Sequence, residues 1–349
     1  MPDDLSLRLF HPAYPAHQEI TEKTPVNKEP ETVVYIKEII IMKKALIILI
    51  ALMFCVAALA GCAGNKEATE VKTDETAAQT NDAGTPSYTV ETSVEVNGRQ
   101  GVAYENGCYY VSGSTNLIKY DKDWNVVLEN DDPFSQGYEL EVNHIGDIDI
   151  YNNEIYCGVE LFLDGVAKNI QIAVYDADTL QFKRAFPFSE ESGQTECSGI
   201  AVNPDNGTVW MCSWEGGQSG NYLYKYKLDD GAYLGKVHVH PVPQWVQGIA
   251  YYDGAYYLTA DDGDADFDEP DHIYKTVIAD DATECTVTEE KILDDVTKQG
   301  EIEGLTFDKD NGQMLVLYNR GARIILGMPS GFYDGYDKEI HEVFLYKMA

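Results

Sequence analysis

Five times in the later part of the chain a short apolar run opens on a glycine: Gly101-Val102-Ala103-Tyr104, Gly146-Asp147-Ile148-Asp149, Gly199-Ile200-Ala201-Val202, Gly248-Ile249-Ala250-Tyr251 and Gly304-Leu305-Thr306-Phe307. The runs recur at intervals of roughly 50 residues, a period that belongs to repeat architectures. Four are followed by Asn-Gly or Asp-Gly (Asn106-Gly107, Asn206-Gly207, Asp253-Gly254, Asn311-Gly312) and the fifth by Asn152-Asn153. These dipeptides accept the positive φ of a tight hairpin, so each run is expected to fold back into a second strand, such as residues 108–111 and 256–259. A third strand then ends in Tyr or Lys and an acidic turn, as in Leu117-Ile118-Lys119-Tyr120-Asp121 and Ile172-Ala173-Val174-Tyr175-Asp176, and a fourth follows at 125–128, 181–186 and 233–239. Four antiparallel strands per repeat is the pattern of a β-propeller blade. The last repeat stops at its third strand, Val343-Phe344-Leu345-Tyr346-Lys347, while an alternating segment at 88–96 precedes the first repeat and is free to supply the missing strand. The expectation is an all-β, five-bladed propeller closed by an N-terminal strand, over 87–349. Six blades is the alternative if residues 126–143, or those before Gly101, conceal further strands.

Upstream of the repeats the pattern changes. Met42-Lys43-Lys44 leads into an apolar run through Ala60 that ends in Leu59-Ala60-Gly61-Cys62. A short basic segment, an apolar stretch and small residues make a secretory signal, too short and wrongly flanked for a confident membrane span. Its last four residues resemble the bacterial lipobox. That resemblance implies cleavage before Cys62, a diacylglyceryl thioether on Cys62, and a folded part held at the outer face of the cytoplasmic membrane. Residues 1–41 precede the basic segment that should open such a signal, and are read as mis-assigned upstream sequence with the true start at Met42. Residues 62–86 are rich in Ala, Thr, Glu, Asp, Lys and Asn with almost no large apolar side chain, which suits a disordered tether.

Charge narrows the choice of partner. A formal net charge of −34 repels phosphate backbones, so no nucleic-acid partner is expected; it suits cations, or simply solubility outside the cell. Seven cysteines, of which Cys55 leaves with the signal and Cys62 is lipidated, leave an odd number at irregular spacing, which argues against a disulfide framework or a zinc ribbon. A monomer is expected.

In a propeller the first strands line the central channel, so residues at their starts share one mouth. Those are Gln100, His144 with Asp147, Glu196 with Ser198, Gln247, and Glu301 with Glu303. Oxygen donors converging on an axis suit a hard cation, calcium above all, or else a column of water. The ring is similar to the axial sites of calcium-dependent propeller hydrolases, the calcium-activated nucleotidases and the gluconolactonase and paraoxonase-like enzymes. That resemblance implies calcium held by Asp147, Glu196, Gln247 and Glu303, with Gln100 or Ser198 completing the shell. Glu301-Ile302-Glu303-Gly304-Leu305-Thr306 also resembles the glutamine cyclotransferase propellers, without the tryptophan expected there.

His144 is the candidate acid or base, because imidazole alone titrates near neutrality unperturbed. Arg320 and Arg323, in a long loop placed at 319–341, are candidates to clamp an anionic group or to pair with the acidic surface. The loop 261–269 alternates acids but lacks the Gly and Glu of an EF-hand. Trp214, Trp245 and Tyr257 are expected near the same mouth, for stacking or for packing. Two functions follow: a lipid-anchored binding propeller for a small molecule, peptide or glycan, or a metal-dependent hydrolase of a small anionic ester, lactone or phosphoanhydride.

Overall fold

The computed structural model describes residues 87–349 apart from 164–165, 188, 215–216, 297–298 and 326–327. The upstream extension, signal, Cys62 and tether lie outside the described residues.

A strand at the start, β1 (Tyr88–Glu95), precedes the first blade, formed by β2 (Gly101–Glu105), β3 (Cys108–Gly113), β4 (Asn116–Tyr120) and β5 (Val126–Asn130). The second holds β6 (His144–Tyr151), β7 (Glu154–Leu163), β8 (Val166–Asp176) and β9 (Phe182–Pro187). The third holds β10 (Ile200–Asn203), β11 (Thr208–Met211), β12 (Tyr222–Lys227) and β13 (Tyr233–His240), and the fourth begins with β14 (Val246–Tyr252), β15 (Ala255–Ala260) and β16 (His272–Thr276). Next comes β17 (Glu284–Thr286), which pairs in parallel with the outer edge of β13, before β18 (Thr288–Ile292) completes the fourth blade. The fifth is built from β19 (Gln299–Asp308), β20 (Gln313–Arg320) and, after the hairpin β21 (Ala322–Ile325) and β22 (Met328–Phe332), the last strand β23 (Ile340–Met348). There β1 pairs antiparallel with β23, from Tyr88↔Met348 to Glu95↔Glu342, and supplies the fourth strand.

The protein is thus an all-β, five-bladed propeller closed by its N-terminal strand, and residues 126–143 contribute only β5 to the blades. The long loop of the fifth blade is not wholly irregular, since it folds into the β21–β22 hairpin. Two-residue turns close the first, second and fourth inner hairpins: Asn106-Gly107, Asn152-Asn153 and Asp253-Gly254 all have both φ values positive. This left-handed pair matches the strand twist, and Asn tolerates it where most side chains do not.

Alternation along the strands turns one set of apolar side chains to each sheet face, and each face meets the next blade. The result is five core clusters, one between each pair of neighbours, centred on residues such as Ile148 and Tyr175, Trp210 and Leu258, or Val111 and Leu317. Near the axis a belt of hydrogen bonds links successive blades. Ser112 Oγ donates to Gly146 O at 2.9 Å, Asp147 N to Ser198 O at 2.8 Å, and Ser198 Oγ to Val246 O at 2.7 Å. Thr259 Oγ1 donates to Glu303 O at 2.6 Å and Gly304 N to Gln100 O at 3.0 Å, which closes the circle.

The five blade-opening glycines have a packing reason. A Cβ on Gly304 would lie 2.1 Å from Asp147 Oδ1, and one on Gly248 2.8 Å from the Gly304 Cα, so inner strands approach the axis more closely than any side chain allows. All five remaining cysteines, Cys108, Cys157, Cys197, Cys212 and Cys285, are free thiols, and four of them are buried. They act as small apolar packing residues.

Candidate functional site

The mouth where the inner strands begin is lined by the residues just before and within those starts, and by the ends of the second strands. Register shifts at Ile145/Ile148, Val246/Gly248 and Ile302/Leu305 interrupt the inner ladders there. Such bulges re-aim side chains that strict alternation would turn into the core. A cavity of about 230 Å³ results, lined by Arg99, Gln100, Ser114, His144, Glu160, Phe162, Glu196, Ser198, Trp214, Gln247, Glu301 and Glu303.

On the side of the fifth and first blades every carboxylate is engaged. Glu303 Oε1 accepts from Asn319 Nδ2 at 2.6 Å and Gln100 Nε2 at 3.3 Å, and Gln247 Nε2 donates to Glu301 Oε1 at 2.8 Å. Arg99 pairs with Glu301 at 3.3 Å and Glu339 at 3.4 Å. Burial, and then the neighbouring charge of Glu301, push the Glu303 carboxyl well above the usual carboxylate range. Burial raises Glu301 as well, against the pull of Arg99. For Arg99 itself, burial works against the charge and is outweighed by Glu303, Glu339 and Glu301.

The second and third blades present a different surface. His144 and Glu160 are cross-strand partners, and their Nδ1 and Oε1 face each other at 3.5 Å without a hydrogen bond. Glu160 is only 1% exposed; its other oxygen accepts from Cys197 N at 3.0 Å. Glu196 Oε2 accepts from Trp214 N at 2.6 Å, and the Trp214 ring stands 5.0 Å from Trp245 at the rim. Four buried side-chain nitrogen or oxygen atoms that lack a hydrogen-bond partner line this cavity: Arg99 Nε, His144 Nδ1, Glu160 Oε1 and Trp214 Nε1.

The structure therefore brings Gln100, His144, Glu196, Gln247 and Glu303 to one mouth, but not Asp147. That carboxylate lies deeper, on the axis, where it accepts from Ile148 N at 2.8 Å and Ile249 N at 3.4 Å and abuts Gly101, Gly248 and Gly304. Burial drives it well above the ordinary value. These donors do not fit a resident calcium ion. Among the described residues no group of three or more His, Cys, Asp or Glu side chains is disposed to hold a metal; both glutamines turn N–H toward the carboxylates, and the Arg99 guanidinium occupies the place of a counter-charge.

The remaining candidates lie elsewhere. Arg320 makes a close ion pair with Glu342 and covers the Phe344 ring, away from the cavity. Arg323 pairs with Asp266 and stacks on Tyr333. The acidic loop is internally bonded, with Asp262 held by His272 at 2.8 Å and Tyr274 at 2.7 Å. Tyr257 is a core residue between the fourth and fifth blades, packed on Phe307 beneath Lys275. Sequence reasoning missed Arg99, Glu160 and Phe162. The available signal was Glu160, an acid inside the apolar stretch of β7; counting from the turn at Asn152-Asn153 puts Leu161 opposite His144, and the bulge between Ile145 and Ile148 brings Glu160 there instead.

No family model and no curated protein matches this chain. Solved structures similar to it include hydrazine synthase from Kuenenia stuttgartiensis, with a TM-score of 0.39 at 12% identity over 75% of this chain and 69% of that one. A gluconolactonase from Xanthomonas campestris gives 0.38 at 12% identity, with 68% of each chain covered. BamB from Moraxella catarrhalis gives 0.32 at 11% identity, with 73% of this chain and 60% of that one covered. Likenesses this distant carry no argument about activity, and the reading of function rests on the cavity itself.

Proposed function

We propose that the chain is a lipid-anchored, extracytoplasmic binding propeller that receives a small polar molecule at the mouth of its channel. The observation that supports this is the convergence of unpaired buried polar atoms on one cavity. A buried donor or acceptor left without a partner costs about 1–3 kcal/mol, and natural proteins place such groups where a ligand or bound water completes them. The lipobox at Cys62 and the tether after it support export and anchoring.

A second reading, hydrolysis of a small ester, lactone or phosphoanhydride, draws on His144 beside Glu160, an imidazole and a carboxylate 3.5 Å apart at the cavity wall. It needs no metal.

A thermal-shift screen of small amines, sugars, organic acids and calcium salts tests the binding reading, with Trp214→Phe as the matched variant. At least one compound is expected to raise the midpoint of the wild type and to bind about tenfold more weakly to the variant, the worth of one lost hydrogen bond in a closed site. No stabilising compound would remove the reading. In the same cells, labelled fatty acid is expected on the wild type and absent from Cys62→Ser.

A further inference from the structure

The cavity at the mouth does not end at Phe162 and Trp214. Beyond them lies a second one of about 390 Å³, which shares Phe162, Glu196 and Trp214 as a common wall and is otherwise bounded by β8, from Val166 to Ile170, and by Gln194 and Thr195. It exists because β7 and β8 outrun the rest of their blade. The inner strand begins at His144, opposite Glu160, whereas Leu161, Phe162 and Leu163 go on to pair with Lys168, Ala167 and Val166. That overhang is mainly apolar on the cavity side, with the exposed Lys168 at its edge.

We infer that the ligand is a primary amine bearing a nearby acceptor oxygen and an apolar body, with its ammonium at Glu160 and its body under the β7–β8 overhang. This rests on the channel-mouth reading above. Of the four acids of the first cavity, Glu301 and Glu303 are neutralised or bonded by Arg99, Gln247, Gln100 and Asn319 and Glu196 accepts from Trp214 N, whereas Glu160 keeps one oxygen without a hydrogen bond. Among the described residues no lysine or arginine makes an ion pair with Glu160, and the His144 ring faces it at 3.5 Å. An ammonium brings three donors, and a buried carboxylate oxygen is the acceptor it requires. Phe162 and Trp214 line the same cavity, and an aromatic ring there attracts a cation further. The unpaired Trp214 Nε1–H, a donor, calls for an oxygen on the same guest. A head alone would leave the second cavity wet, whereas an apolar body displaces water from Val166, Ala167 and Ile170.

The test uses calorimetry on the full chain in mild detergent with three probes: 2-amino-1-phenylethanol, 1-phenylethane-1,2-diol in which hydroxyl replaces the amine, and ethanolamine, which lacks the body. The amine with the phenyl group is expected to bind at least tenfold more tightly than either comparator. Glu160→Gln should erase its advantage over the diol. Ala167→Trp, a change on the overhang, should weaken it at least tenfold and leave ethanolamine unchanged. Equal binding of diol and amine to the wild type overturns the ammonium assignment. An Ala167→Trp variant that binds the phenyl amine normally, or loses ethanolamine equally, overturns the placement of the body. Should all three probes fail while another compound binds through Trp214, the amine class is wrong and the channel-mouth reading survives. If nothing binds, both fall.

Discussion

Gly304 shows how little slack the axis has. Its missing side chain leaves room for Asp147 Oδ1, and no rotamer of a buried, backbone-bonded aspartate moves that oxygen without breaking the bonds from Ile148 and Ile249. Gly304→Ala is expected to destabilise by about 3 kcal/mol, the upper range for overpacking a closed core. Gly107→Ala at the turn of the first inner hairpin, where a Cβ meets nothing, should cost only about 1 kcal/mol of left-handed strain. Chemical denaturation checks both, and equal losses would refute the packing account. The residues at blade starts were legible in the sequence because a glycine marks each start and polar side chains beside it stand out. Their partners were not. Arg99 sits outside any strand, and Glu160 joins the mouth through cross-strand register, which a search of first strands alone does not reveal. Asp147 was read as one more member of the ring; only its depth among backbone amides separates it from Glu303.

At the scale of elements, period-two alternation and paired turn residues carried nearly all the information. The repeats and their inner hairpins follow from these signals, as does closure by β1, since a repeat that lacks its last strand and a lone strand before the first repeat call for each other; β17 and the β21–β22 hairpin do not. What alternation does not encode is overhang: β7 and β8 have the same binary pattern whether they stop at the blade's edge or continue past it. Closure by β1 has a measurable weight. Its pairing with β23 spans the full strand, and Tyr88 and Val90 pack on the core between the fourth and fifth blades. A chain beginning at residue 97 is expected to melt at least roughly 10 °C below one beginning at residue 87, since several kcal/mol are lost in a domain of this size. Equal midpoints in calorimetry would mean that β1 is decoration and the ring is held by its belt alone.

For the whole molecule, acidity acts on two levels that respond differently to pH. The surface repels itself at neutrality, an effect that salt screens. Buried carboxyls at Asp147, Asp261 and Glu303 are all held well above the carboxylate range by burial. Asp149, near the opposite channel mouth, is raised from 3.8 to about 7, mainly by burial. A group raised in the folded state keeps its proton there while the unfolded chain has released it. Stability is then full below the unfolded value and falls as pH rises toward the folded one, by about 1.4 kcal/mol per unit per group. The thermal midpoint should decline from pH 4 to pH 7, most of the decline should persist in high salt, and Asp149→Asn should make it shallower by that residue's share. A midpoint that rises with pH over that interval would contradict these assignments.

The axial aspartate also bears on what this ring can become. Asp147 touches the other four blades, through its own N–H to Ser198, its carboxylate to the Ile249 amide, and close contact with Gly101 and Gly304. Three contacts from one short side chain and a fourth from its own backbone are possible together only at one radius. Blade-duplicating recombination, the usual way for a repeat protein to grow, would widen that circle and leave the carboxylate stranded among amides it no longer reaches. A lineage carrying this aspartate has therefore traded the freedom to change its symmetry for a fixed gauge, and is left to diversify at the rim.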